Sequence, residues 1–150
     1  MCYNTQMTEY FSIIAVAAFF GFTIKIADLL NEHGLHWFYG DAIAFGALWG
    51  IAGSLLVLSD VGIANVVLAM VLAFIIEMRI DYFNHALGTV LVIIAFVAAS
   101  AFDAKTFFVF FTSFVFFGVL RAYIGDVRKK KDLLFHISEP GWAHYYIVPF

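Results

Sequence analysis

Cysteine is nearly absent from this chain. Cys2 is the only one in 150 residues, which excludes an intrachain disulfide framework, a CxxC redox pair and a cysteine-built zinc site. Charge is scarce as well: charged residues make up 13% of the chain, against about 25% in ordinary soluble domains. The first ten residues hold no Lys or Arg, and the apolar run behind them is too long for the h-region of a cleavable signal, so it reads as a retained first helix. Known chemical signatures are missing too. There is no G-x-S-x-G, no glycine loop to cradle a phosphate, no D-x-x-D-G-x-x-A-R run and no paired aspartate-rich motif. No basic patch with interleaved aromatics offers a surface to nucleic acid.

What is present is apolar surface. Hydrophobic residues reach 64%, with 19 phenylalanines, more than so short a chain could hide in a soluble core, so the surplus must face lipid. The pattern predicts one all-α domain over residues 1–150, a polytopic bundle of five transmembrane helices at about 11–30, 41–58, 62–80, 87–102 and 106–123. In the first loop Gly34 suits a left-handed helix cap, and the aromatics at 36–39 suit headgroup depth. Asp41 is placed to cap the second span. That span carries Ala42, Gly46, Gly50 and Ser54 at four-residue spacing, a face that admits another helix backbone at close range, and the Asn65, Ala69 and Ala73 face of the third span is its expected packing partner. The fifth span, rich in FFVFFTSFVFF, has bulky groups all round and reads as an outer, lipid-facing helix. Beyond it, residues 125–150 bring Arg128, Lys129, Lys130 and Lys131, then Trp142, Tyr145 and Tyr146, the makings of an interfacial segment on anionic headgroups.

With five crossings, all but one of the eight Lys and Arg residues fall on one side, leaving Lys105 alone on the other. The positive-inside bias makes the crowded side cytoplasmic, with the N-terminus outside and the C-terminus inside. A short internal likeness accompanies this topology: Lys25, Asp28, Asn31 and Gly34 are echoed by Arg79, Asp81, Asn84 and Gly88. It suggests a parallel repeat of 11–58 and 62–102, related by an axis along the membrane normal.

The stretch Asn65–His85 holds the chain's most unusual polarity. Asn65, Ala69, Ala73, Glu77, Asp81 and His85 recur every fourth residue, which on one helix traces a drifting stripe of small and polar groups. Ionisable groups inside an apolar segment point to function by default. The five-span topology brings Asp28, Glu32, His33, Asp41, Glu77, Asp81, Asn84 and His85 to the same face. Three readings follow. Asp28, Glu32, Glu77, Asp81 and His85 hold a divalent metal, Mg or Mn by their oxygen-rich character, with Arg79 or Arg121 as anion clamps. Alternatively the same groups form a cation or proton path. Or they are ion pairs that fix helix depth. The first makes the protein a metal-dependent enzyme on a lipid or isoprenoid-phosphate substrate, with Glu77, Asp81, His85 and Asp28 as its acid–base groups. The second makes it a cation- or proton-coupled small transporter or channel. A third class is a non-catalytic subunit of a larger membrane complex. Its partners are membrane lipids and possible further copies or subunits, with no nucleic acid.

Overall fold

The computed structural model describes residues 2–32, 36–77, 80, 82–99 and 102–138, with side chains described at 7–8, 10–30, 36–77, 80, 82–99 and 102–125. Among the described residues every regular element is a helix: α1 (Cys2–Glu32), α2 (Asp41–Ser59), α3 (Val61–Ile76), α4 (Phe83–Ala99) and α5 (Ala104–Ser138). Three segments are long and apolar enough to cross a membrane, Tyr10–Leu30, Asp41–Ser59 and Ala104–Gly125. The 16-residue α3 and the 17-residue α4 fall short of the ~20 residues of an ordinary crossing.

Three boundaries differ from the hydropathy pattern. Helix α1 begins some two turns before residue 11. Helix α5 continues without a break through the basic run to Ser138, so residues 125–138 extend the fifth helix; residues 139–150 lie outside the described residues. Helix α3 ends at Ile76, with Glu77 as its C-cap at φ −75° and ψ 3°. Charged residues at Glu77, Arg79 and Asp81 follow an unbroken apolar run, and their solvation favours an end to the helix there. Glu77 is therefore not a turn inside α3, and the stripe from Asn65 to His85 is not carried by one helix.

The loop at residues 36–40 is closed by Asp41. Its Oδ2 accepts the Trp37 N–H at 2.7 Å, its Oδ1 accepts the Ala42 N–H at 2.7 Å, and His36 Nδ1 lies 3.5 Å from Oδ1. The N-cap position itself belongs to Gly40 at φ 85°, a left-handed conformation that glycine adopts without strain. The next turn is simpler: Asp60 caps α3 by accepting the Ile63 N–H at 3.1 Å.

Helix α2 is the centre, packed against α1, α3 and α4, while α3 pairs with α5. The core gathers Phe20, Ala27, Trp49, Leu56, Val57, Val67, Val71 and Val92. The small face of α2 meets α4, not the Asn65–Ala69–Ala73 face of α3 that its spacing also suited. A Cβ on Gly46 would lie 2.7 Å from the Asn84 carbonyl oxygen, and one on Gly50 would lie 2.7 Å from the Gly88 Cα. Higher up, Ser54 Oγ donates to the Leu91 carbonyl at 3.2 Å. The matched pairs 46–84, 50–88 and 54–91 rise together, so α2 and α4 run side by side in the same direction. Close backbone approach of this kind needs small residues on both helices, and α4 supplies Gly88 where α3 has alanines.

The buried stripe Asn65, Ala69 and Ala73 on α3 turns instead to α5. At its start Asn65 Oδ1 accepts the Asp103 N–H at 3.0 Å, just ahead of α5. At its end the Glu77 carboxylate rests on Gly118 of α5, where a Cβ would overlap it. Only 6% of the α5 span is buried, which agrees with an outer position for the phenylalanine helix.

Candidate functional site

Two residues 57 positions apart, Asp28 and His85, form the centre of the site. His85 Nε2 lies 3.2 Å from Asp28 Oδ1, and Lys25 Nζ lies 3.0 Å from Asp28 Oδ2. The Lys25–Asp28 part follows from helical spacing, since i and i+3 are neighbours on one face. The His85 part depends on tertiary structure. Asn84, buried in the first turn of α4, donates through Nδ2 to the Ala27 carbonyl at 3.2 Å and accepts the His85 N–H on Oδ1 at 2.7 Å. One side chain thus ties α4 to α1 directly beside the pair. Because Gly46 lets α2 press on the Asn84 backbone, the glycine seam also sets where His85 stands.

Asp28 stands on the last turns of α1. It lies near the C-terminal end of that helix, where the macrodipole opposes negative charge. The Lys25 ammonium, 3.0 Å from Oδ2, opposes that penalty. Asp28, 27% exposed, and His85, 13% exposed, are partly enclosed, whereas Lys25 is 75% exposed. The pair is therefore shielded from bulk water on most sides and open on one.

Trp49 and Tyr82 stand around the imidazole, with ring centroids 6.3 Å and 6.5 Å from that of His85. Trp49, 3% exposed, lies over Gly88, whose missing Cβ makes room for the indole. Its ring centroid lies 6.0 Å from that of Phe20. Among the described residues no acceptor meets Trp49 Nε1. Leaving a buried donor unpaired costs about 1–3 kcal/mol, so this N–H is a feature to be explained.

The remaining expected site residues are distributed otherwise. Glu77 sits on the α3–α5 seam against Gly118, because α3 ends too early to align it with His85. Arg121 is exposed on α5, one turn beyond Gly118. Asp41 is 2% exposed and committed to its own loop. His33, Arg79 and Asp81 lie outside the described residues, as do the side chain of Glu32 and the left-handed cap expected at Gly34. Among the described residues no group of three or more His, Cys, Asp or Glu side chains is placed to hold a metal ion. Sequence reasoning missed Trp49 and the bridging role of Asn84. Gly46, Gly50 and Gly88 at helical spacing were the available signal, since a tryptophan within a glycine seam must lie across it.

Above the pair, towards the other end of the bundle, the interior is mainly apolar, with Thr23, Thr89 and Asn65 as buried polar side chains. Two of the hydroxyls there are satisfied locally, Thr23 Oγ1 by the Phe19 and Phe20 carbonyls and Ser54 Oγ by those of Gly50 and Leu91. The site thus belongs to one end of the molecule. Comparison with protein-family models, curated proteins and solved structures finds no match for the chain.

Proposed function

We propose that this is a small membrane-embedded enzyme that acts on a lipid or isoprenoid-phosphate substrate, with His85 as its acid–base group. The observation that carries the reading is the Asp28–His85 contact, made between two helices, partly buried and open at one end of an apolar bundle. A carboxylate that accepts one imidazole N–H fixes the ring and its tautomer, leaving the second nitrogen to exchange a proton with substrate. Both Asp28 oxygens are engaged, Oδ1 by His85 and Oδ2 by Lys25. This set therefore favours orienting an imidazole over chelating the Mg or Mn ion that the five-ligand pattern suggested. In this reading Asp28 is a positioning residue and Lys25, largely exposed, is the charge nearest an incoming phosphate.

The membrane arrangement completes the proposal. All five helices cross, the two shorter ones with local adjustment of the bilayer. The N-terminus lies outside and the C-terminus in the cytoplasm, which puts the pair at the cytoplasmic headgroup level. A mainly apolar interior above the site supports an enzyme over a transporter.

The test is turnover by the full chain in nanodiscs, with lipid and isoprenoid mono- and diphosphates, followed by product separation and phosphate release. His85→Asn is expected to lower kcat about 100-fold or more, the usual share of a general acid or base. Asp28→Asn should lower it less and shift the pH profile, as a positioning role requires. Turnover that survives both substitutions refutes the reading. Proton flux across liposomes in the absence of any turnover would favour the transport alternative.

A further inference from the structure

Thr89 stands apart from the other hydroxyls of the bundle, and the inference drawn from it rests on the acid–base reading of His85. A helical serine or threonine commonly gives its proton to a carbonyl three or four residues back. Thr23, Ser54, Ser59, Thr112 and Ser113 all do so. Thr89 does not, and among the described residues no other group pairs with it, although it is only 6% exposed. The Trp49 N–H is unpaired as well, but it is sealed in, a consequence of the indole filling the hollow over Gly88. The Thr89 oxygen is not sealed in that way, which leaves it a side from which a bound group can reach it.

Its position relates it to the site. Thr89 follows His85 by four residues on α4, so the two share a face, with Thr89 about 6 Å deeper along the helix. Helices α1 and α4 run in opposite directions here: Asn84 reaches Ala27 at one level, and Phe20 and Val92 converge on Gly53 at another. Thr89 lies between those two levels. A substrate phosphate beside Lys25 and His85 thus continues inward past this hydroxyl. Two substrate classes are then separated by their chemistry. An isoprenoid phosphate is hydrocarbon below its phosphate and would leave the Thr89 hydroxyl buried and unpaired, which is unfavourable. An ester-linked glycerolipid carries carbonyl oxygens one glycerol unit below its phosphate, a distance comparable with one helical turn. A carbonyl accepts and a hydroxyl donates, so the pairing is complete.

We propose that Thr89 donates to the ester carbonyl of an acylglycerol phosphate whose headgroup lies at Lys25 and His85. The experiment compares dioleoyl phosphatidate with its dioleyl ether analogue, which keeps the phosphate and chains and lacks the carbonyls. Binding to the full chain is measured in maltoside micelles, which contain no ester. The ester lipid should bind about three- to tenfold tighter, the value of one hydrogen bond. Thr89→Val should remove that preference and leave the ether affinity unchanged. The variant should unfold no earlier than the wild type, since it discards a hydroxyl with no partner in the protein. Equal affinity of the wild type for ester and ether lipids overturns the proposal without requiring any variant to fold. So does geranylgeranyl phosphate that binds as tightly as the ester lipid. The acid–base reading fails separately. If the ester preference stands while His85→Asn keeps full turnover, the Thr89 contact remains and the catalytic role of His85 falls. If turnover depends on His85 and no ester preference exists, only the Thr89 contact falls.

Discussion

The two parallel helix pairs, α2 with α4 and α3 with α5, each place glycine at a close contact and behave differently. In the first, glycine faces glycine and backbone meets backbone, with Gly50 against the Gly88 Cα. In the second, a glutamate carboxylate at the end of α3 lies on Gly118, and α5 turns nearly all its surface outward. A backbone cannot retreat, whereas a carboxylate on a flexible stem can. The first seam therefore sets the geometry of the molecule and the second adapts to it. The site lies on the rigid seam, where Asn84 and His85 take their positions from the α2 contact.

The largest expected effect is at Gly50. Gly50→Ala gains about 1 kcal/mol of helix propensity but places a methyl where the α4 backbone stands. With overpacking at the upper end of its range, about 3 kcal/mol, less that gain, we expect a net loss of about 2 kcal/mol, measured by thermal unfolding in detergent. A neutral outcome would mean the seam opens easily and the contrast between the pairs is false. Next comes Asn84→Ala, expected to cost about 1–2 kcal/mol, the range for losing a buried hydrogen bond. It should also release the His85 ring, visible as a changed histidine tautomer ratio by ¹⁵N spectroscopy.

Gly118→Ala sharpens the comparison from the other side. The propensity gain of about 1 kcal/mol is set against displacement of one flexible side chain, so stability should change by less than about 1 kcal/mol, with turnover unaffected. Combined with Glu77→Ala the same substitution should become stabilising, because the obstruction is gone. A loss as large as that at Gly50 would erase the distinction. The smallest effect lies in the loop ahead of α5. The Thr106 hydroxyl, 2.5 Å from Asp103 Oδ2, together with the Lys105 N–H at 3.1 Å, holds the Asp103 carboxyl below its ordinary value of 3.8. Its contribution is complete above that value and is lost as pH falls through the lowered one. Thr106→Val should flatten only that acid limb of a stability–pH curve.

Much of this was legible in the residues. Hydropathy located five apolar segments, and the spacing of Ala42, Gly46, Gly50 and Ser54 marked a packing face. Alternating topology brought Asp28 and His85 to one end before any contact was known. The partner of the glycine face was not legible. Spacing on one helix states how near a neighbour comes and not which neighbour it is, so the Asn65–Ala69–Ala73 face of α3 was expected where α4 packs. Glu77 was misplaced for a related reason: hydropathy continues past the point where charged groups make it favourable for α3 to end. The unpaired Trp49 N–H could not be read at all, because a lone donor is defined by what surrounds it.

Helix α5 has a mechanical consequence. The residues from Asp126 to Ser138 prolong it by about 20 Å at 1.5 Å per residue. For a helix along the membrane normal, Arg128 to Lys131 stand roughly 5–9 Å past the end of the span, near the ~8 Å reach of surface potentials in physiological salt. The rest of the rod extends beyond that reach. Where α5 crosses a bilayer, the unbroken helix beyond Gly125 is a spacer whose length is set by its residue count.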